Sequence, residues 1–209
     1  MAWLHIPSLP SLISHFLYEQ YHPDLTVPVE EIPLEKCPKY TGQIYLYPST
    51  VATYHTPSDK SGLGGLFCEC IQAVHLWRGG PARCDCVFIA HDEGLPSFRG
   101  LYVGQVIAFL KLAQEKVEYP TALITWFETV GDSPCPSTGM WKVHQELDLS
   151  NHCKLKIIHL DTILHGAHLV GIAGSSFIPY ELDYTNALDA FKTFYVNKFI
   201  DYHAYEIAF

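Results

Sequence analysis

The segment Tyr119 to Glu128 reads Tyr-Pro-Thr-Ala-Leu-Ile-Thr-Trp-Phe-Glu, and it limits the folds open to this chain more than any other stretch. β-Branched and aromatic residues dominate it, which is the composition of a strand. Other segments carry the same signature. Cys86-Val-Phe-Ile-Ala is a short apolar strand, Gln43-Ile-Tyr-Leu-Tyr reads as a strand, and Ser49 to Tyr54 is a candidate for another. Trp141-Lys-Val-His, Lys156-Ile-Ile-His-Leu and Ala167-His-Leu-Val-Gly-Ile continue the series. Turn-forming runs separate them: Ser58-Asp-Lys-Ser-Gly-Leu-Gly-Gly, Arg78-Gly-Gly-Pro and Gly131-Asp-Ser-Pro-Cys-Pro-Ser-Thr-Gly. Short strands punctuated by turns predict a small barrel or sandwich. Two stretches stay open between strand and helix: Leu66 to Trp77, and Leu101 to Leu112, whose Val103, Val106, Ile107 and Phe109 suit either period.

Helical patterns lie toward the ends. Pro10 to Gln20 places Leu12, Ile13, Phe16 and Leu17 on one face, with Ser11 as a candidate cap. Pro23, Pro28, Pro33 and Pro38 interleave with Val27, Val29, Ile32 and Leu34, which predicts an extended arm lying on another surface. Leu188, Phe191, Tyr195 and Phe199 form an apolar stripe for a helix from about Thr185 to His203. The expected fold is thus a β-rich α+β domain: a small barrel-like antiparallel sheet with a short N-terminal helix, a Pro-rich extended arm and a C-terminal helix. The segments are 1–83 (helix, arm and irregular β segment), 84–180 (the barrel-like unit) and 181–209 (the helix packed on it).

Charged residues make up 17% of the chain and hydrophobic residues 48%. A charged share below the usual quarter or so excludes a disordered, highly solvated chain. The formal charge is −9, split −4 over residues 1–99 and −5 over 100–209, so no basic block exists. Binding to DNA through phosphates requires clustered Lys and Arg, and the acidic balance disfavours it. Thr162 to Tyr180 lacks Asp, Glu, Lys and Arg, but its glycines, histidines and Pro179 suit a strand–turn–strand better than a membrane span. The opening Met1-Ala-Trp-Leu-His-Ile-Pro has no basic region of a secretory signal, and the cysteines number seven. An intracellular chain with reduced thiols is expected.

Several groups could carry chemistry. Cys68-Glu-Cys70 and Cys84-Asp-Cys86 offer four thiolates for zinc, since residues two apart share a face of a strand. Buried thiols acting as small hydrophobes are the competing reading. His159, Asp161, His165 and His168 are close in sequence and could make a metal or acid–base site, but His159 and Asp161 alternate with Ile158 and Leu160 as one face of a half-exposed strand would. Asp201, His203 and Glu206 could make a second carboxylate–imidazole cluster, and a solvated helix end with ordinary hydrogen bonds is the favoured reading. No Gly-x-Ser-x-Gly elbow and no phosphate-binding loop with its lysine is present, and no local motif singles out a nucleophilic cysteine.

A set of phrases carries a family resemblance: Trp77-Arg-Gly-Gly-Pro-Ala-Arg-Cys-Asp-Cys-Val-Phe, Arg99-Gly-Leu-Tyr-Val, Asp132-Ser-Pro-Cys-Pro-Ser-Thr-Gly-Met-Trp, Ile158-His-Leu-Asp-Thr-Ile-Leu-His-Gly-Ala-His-Leu, and the closing Phe194-Tyr-Val-Asn-Lys-Phe-Ile-Asp-Tyr-His-Ala-Tyr-Glu-Ile-Ala-Phe. From about Leu9 to Phe209 the chain resembles the C-terminal region of Plavaka-type transposon-encoded, transposase-like proteins of mushroom-forming fungi. The resemblance implies an accessory tail whose catalytic carboxylates lie upstream, so no family active-site residue falls on this sequence. It also implies nuclear work. Residues 99–171 further resemble small barrels of the bromo-adjacent-homology type, through the Ala122–Phe127 strand and the acidic, Pro-containing loop after it; such barrels read chromatin or protein tails.

Together these features lead to the expectation of a non-catalytic interaction domain, without a required cofactor, that docks a protein partner or the upstream transposase region. Tyr119, Trp126, Phe127 and Trp141 are the aromatics such a surface would use, and burial in the core is their ordinary alternative. One rival is a DNA-docking module built on Lys154, Lys156, Lys192 and Lys198. A second is an enzyme centred on Asp161 and the histidines around it, and a third is an inert remnant with no present function.

Overall fold

The computed structural model describes residues 6–56, 64–92, 94–148, 150–175, 177–178, 180–183 and 185–209. The expected turn at Ser58 to Gly65 falls mostly on residues 57–63, outside the described residues. The chain is β-rich, as its composition predicts, with an antiparallel sheet curled into about half a barrel.

Two long strands form its spine. β6 (Leu101–Gln114) and β7 (Val117–Thr129) pair along nearly their whole length, joined by a tight turn at Glu115 and Lys116. The outer edge of each carries two shorter strands end to end. β6 pairs with β5 (Cys86–Ala90) at one end and with β1 (Gln43–Tyr47) at the other. β7 pairs with β9 (Leu155–His159) over Thr121–Thr125 and with β8 (Lys142–Gln145) over Phe127–Thr129. Beyond β5 lies β10 (Ile163–Gly166); beyond β8 come β12 (Phe194–Val196) and then β11 (Leu169–Gly171). A separate antiparallel sheet comprises β2 (Ser49–His55), β3 (Leu66–Val74) and the two-residue β4 (Arg83–Cys84). The main sheet thus takes strands from all three of the expected segments.

A bulge between Val106 and Ala108 decides how the spine packs. Before it, Leu101 and Val103 point to a cluster with Phe88, Phe98, Phe127, Trp141, Val143 and Phe194, while Val106 points to the opposite face. After it the parity inverts, as one inserted residue requires. Phe109 now joins Val106, and Ala108, Leu110 and Leu112 turn to the other side. The Val106 face is covered by the β2–β3 hairpin through Ala52, Ile71 and Ala73. The other face is covered by α1 (Leu9–Tyr21) at one end and by α3 (Tyr202–Ala208) at the other.

α1 presents Ile13, Phe16 and Leu17 to Leu110, Leu112, Leu123 and Ile157. Each fully buried side chain of this kind contributes about 1.5–3 kcal/mol. The cap differs from expectation: Ser8 precedes the helix, and Ser11 lies within it. The Pro-rich stretch also differs. In place of one extended arm, Pro28 and Pro33 each lead into a short 3-10 turn, Val29–Glu31 and Leu34–Lys36. Val29 and Cys37 are buried there, so the apolar residues do find cover.

The expected helix from Thr185 to His203 is absent. One four-residue turn, α2 (Ala187–Ala190), is followed by strand β12 and then α3. Thr193-Phe-Tyr-Val is a β-branched and aromatic run, and β12 satisfies its backbone against both β8 and β11. Phe194, outside the anticipated stripe, is the residue the core takes, with its ring edge-on to Phe127 at 5.9 Å.

Candidate functional site

The outer edge of β7 changes partner at Trp126. β9 leaves the edge at Thr125 and β8 joins it at Phe127. Between them, the Glu146 N–H donates to the Trp126 carbonyl and the Lys154 N–H to the Glu146 carbonyl. The fork opens a groove of about 970 Å³ between the sheet and the segment that runs from the end of α1 through Val29.

An aromatic wall lines one side. Trp126 is half-buried, and Tyr102 meets it edge-on at 5.2 Å. Tyr102 is 40% exposed, and the His91 ring lies 4.2 Å from its own. The wall therefore presents partly exposed aromatic surface, with one side of the Tyr102 ring taken by His91, and such surface suits a cation or a flat apolar group.

The charged side is mostly self-paired. Lys154 Nζ lies 2.7 Å from Glu146 Oε1, a contact that holds its ammonium above the usual lysine value against some desolvation. Lys156 Nζ sits 3.0 Å from Glu19 and 3.7 Å from Glu30, so it ties β9 to α1 and to the turn beyond it. Glu128 is exposed, and its ion-pair contact is the His144 imidazole at 3.7 Å. The groove lining thus carries Glu19, Glu30, Glu128 and Glu146 against Lys154 and Lys156. An entering group meets excess negative charge beside the aromatic wall.

The aromatics singled out from sequence divide. Trp126 lines the groove. Tyr119 is half-buried, edge-on to Phe16 at 6.0 Å, and supports α1. Phe127 and Trp141, at 2% and 6% exposure, pack in the core, with Phe127 at the margin of the groove. Strand alternation separates Phe127 from Trp126.

The cysteines do not assemble for zinc. Cys68 and Cys70 are exposed on one face of β3, near Thr53 and Gln72 respectively. Cys84 stands opposite Ala73, further along that strand. Cys86 is buried on β5, and burial pushes its thiol up to about 12, far from the thiolate that zinc requires. Among the described residues no group of three or more His, Cys, Asp or Glu is arranged to hold a metal ion.

Asp161 and its histidines do not converge either. Asp161 is exposed and its N–H donates to His159 Nδ1. His168 pairs with Asn197 at 3.1 Å. His165 is buried and faces Glu69 and Asp201 instead. Three lysines of the DNA-docking rival are already engaged: Lys154 and Lys156, in one groove, are paired with carboxylates, and Lys198 lies over the rings of Phe199, Tyr205 and Phe209 at 5.2–5.7 Å.

One thiol does stand apart. Cys135, in the loop after β7, has Ser137 Oγ at 3.2 Å and the Tyr195 hydroxyl at 3.6 Å. These hydroxyls lower its pKa to about 6. A lowered pKa favours the thiolate, which is the nucleophilic form of the side chain. No helix among the described residues is long and apolar enough to cross a membrane. No family model, curated protein or solved structure matches the chain.

Proposed function

We propose that this chain is a non-catalytic interaction domain whose groove accepts an extended, lysine- or arginine-bearing segment of a partner protein. The observation that carries this reading is the open Tyr102–Trp126 pair beside Glu128, in a groove whose own lysines are already neutralised. A cationic side chain laid on the indole gains a cation–π contact of about 0.5–2 kcal/mol, depending on desolvation. Glu128 supplies the counter-charge at the rim. The chain's −9 charge attracts such a segment over longer range. The same charge opposes a phosphate backbone in the groove, so DNA docking is the weaker reading.

The resemblance to fungal transposon proteins suggests where the segment comes from: the upstream, transposase-like part of the same element, for which this domain would serve as a nuclear accessory. The half-barrel sheet is compatible with the bromo-adjacent-homology comparison, which also rests on capture of protein tails.

The test is fluorescence anisotropy with three labelled probes: a Lys/Arg-rich peptide, its Glu-substituted counterpart and a DNA duplex, each at low and physiological salt. The basic peptide is expected to bind, the acidic one not to, and Trp126→Ala to weaken binding roughly tenfold. Equal binding by wild type and Trp126→Ala, or no binding of the basic peptide, overturns the proposal. Duplex binding whose log affinity falls linearly with log salt would replace it with the DNA-docking reading.

A further inference from the structure

β9 pairs along its length with β7, and its outer edge has no strand beside it. The register tells which backbone groups that edge presents. The two-residue turn at Glu115 and Lys116, both at positive φ, makes Gln114 and Val117 a hydrogen-bonded pair. Every second residue of β7 from Val117 onward then bonds to β6. The residues between, Ala122 and Ile124, bond to β9 through Ile158 and Lys156. The Trp126 carbonyl, in phase with them, accepts from Glu146 on that same side. Leu155 and Ile157 therefore turn their N–H and C=O groups away from β7. Among the described residues nothing bonds to those groups.

The edge lies inside the groove. Phe16 and Phe127 line the groove from one face of the sheet, Ile89 and Trp126 from the other, so it wraps around the sheet margin. Ile157 lines it too, although its side chain packs beneath α1 and the residue is 1% exposed. Lys156 is what screens the edge. It shares a face with Ile158, opposite the face that α1 covers, yet its Nζ reaches Glu19 on α1 and Glu30 beyond it. Its side chain must therefore cross the margin of β9. Lys156 and Glu19 are 29% and 28% exposed, and ion pairs open to water hold weakly. Across the groove, Pro23 and Pro28 have no N–H to donate, so that segment is a poor strand partner. An edge left unpaired is a template for another strand.

Resting on the reading of the groove as a site for a basic segment, we infer that the segment binds as an added strand on β9. Its backbone bonds to Leu155 and Ile157, and one of its lysines or arginines replaces Lys156 at Glu19 and Glu30. Exchanging one cation for another keeps the local charge balanced. Strands lie about 4.8 Å apart, so the added strand stands roughly 10 Å from β7. A second long cationic side chain spans that gap toward Trp126, which a short one does not. The partner is then a proline-free segment that is free to extend and carries at least two cations. A second copy of this chain, with the same −9 charge, is repelled from the edge.

Anisotropy with the full chain and a labelled Lys/Val peptide of about seven residues tests this. A series of peptides carries one N-methyl amide at each successive position. Methylation at every second position should weaken binding roughly tenfold, and at the positions between leave it within about twofold. Lys156→Gln should strengthen binding severalfold. By amide exchange read with NMR, the Ile157 N–H should exchange faster than those of Lys156 and Ile158 in the free chain, and slow roughly tenfold when the peptide binds. A flat methylation series with the parent peptide bound, an Ile157 amide already protected in the free chain, or weaker binding by Lys156→Gln each overturns strand addition and leaves the groove reading standing. No binding of the parent peptide overturns both. An alternating series with unchanged affinity in Trp126→Ala supports the added strand and removes the aromatic contact from the site.

Discussion

Adjacent alanine substitutions at Trp126 and Phe127 separate groove from core. The two side chains leave β7 on opposite faces. Phe127 is 2% exposed, packed among Phe88, Val103, Trp141, Val143 and Phe194. Truncating such an aromatic removes its transfer energy and leaves a cavity, for about 3–5 kcal/mol. Trp126 is half-buried and keeps one side in the groove. An aromatic buries ~150–250 Å² when covered, at ~25 cal/mol per Å², so half-coverage implies about 2–3 kcal/mol. Urea denaturation of both variants reads the difference directly, provided the slope m stays at the wild-type value. Phe127→Ala should shift the midpoint well beyond Trp126→Ala, while only Trp126→Ala loses the basic peptide. Equal destabilisation, or a Phe127→Ala cost near 1 kcal/mol, would refute the assignment of faces made from the strand register.

Three further outcomes follow from the contacts. At neutral pH Cys135 should be the first thiol alkylated by iodoacetamide, with a rate midpoint near pH 6 that Ser137→Ala raises; Cys86, at about 12 and buried, should label only after unfolding, all read by peptide mass spectrometry. The Cys135 thiolate contacts stabilise the fold above the ordinary thiol range and fade as pH falls through about 6. Lys156→Met should loosen α1 by about 0.5–1 kcal/mol, an effect that added salt reduces, seen as a lower urea midpoint. Gly42→Ala should disrupt the β1–β6 junction, since its Cβ would lie 1.7 Å from the Ala113 carbonyl oxygen; loss of the Gln43–Tyr47 amide protection checks it.

The strands were legible where one phase runs unbroken. Tyr119–Glu128 lies inside β7, and Cys86–Ala90 is β5 itself. Leu101–Leu112 resisted because the bulge at Ile107 splices two alternations of opposite parity, which imitates helical spacing. The C-terminal stripe misled for a related reason: Leu188, Phe191, Tyr195 and Phe199 do have helical spacing, but pairing of Thr193–Val196 with β8 and β11 overrides it. The groove was only partly legible. Trp126 belonged to a recognisable strand, yet nothing local links Lys156 to Glu19, 137 residues away. Glu69 looked like a spacer between two cysteines, and its partner Gly166 is 97 residues distant. Asp201 and His165 fell into separate candidate clusters because only the fold brings them together.

The Glu19–Lys156 tie has a consequence for synthesis. The apolar face of α1 is completed by Ile157, and the ion pair spans 137 residues. At about 5–20 residues per second on the ribosome, that interval is on the order of 7–30 s. Until it ends, the cover of Ile13, Phe16 and Leu17 is incomplete: Leu110, Leu112 and Leu123 emerge first and Ile157 last. Apolar surface left open over that interval makes the incomplete chain prone to aggregate before its last strands arrive.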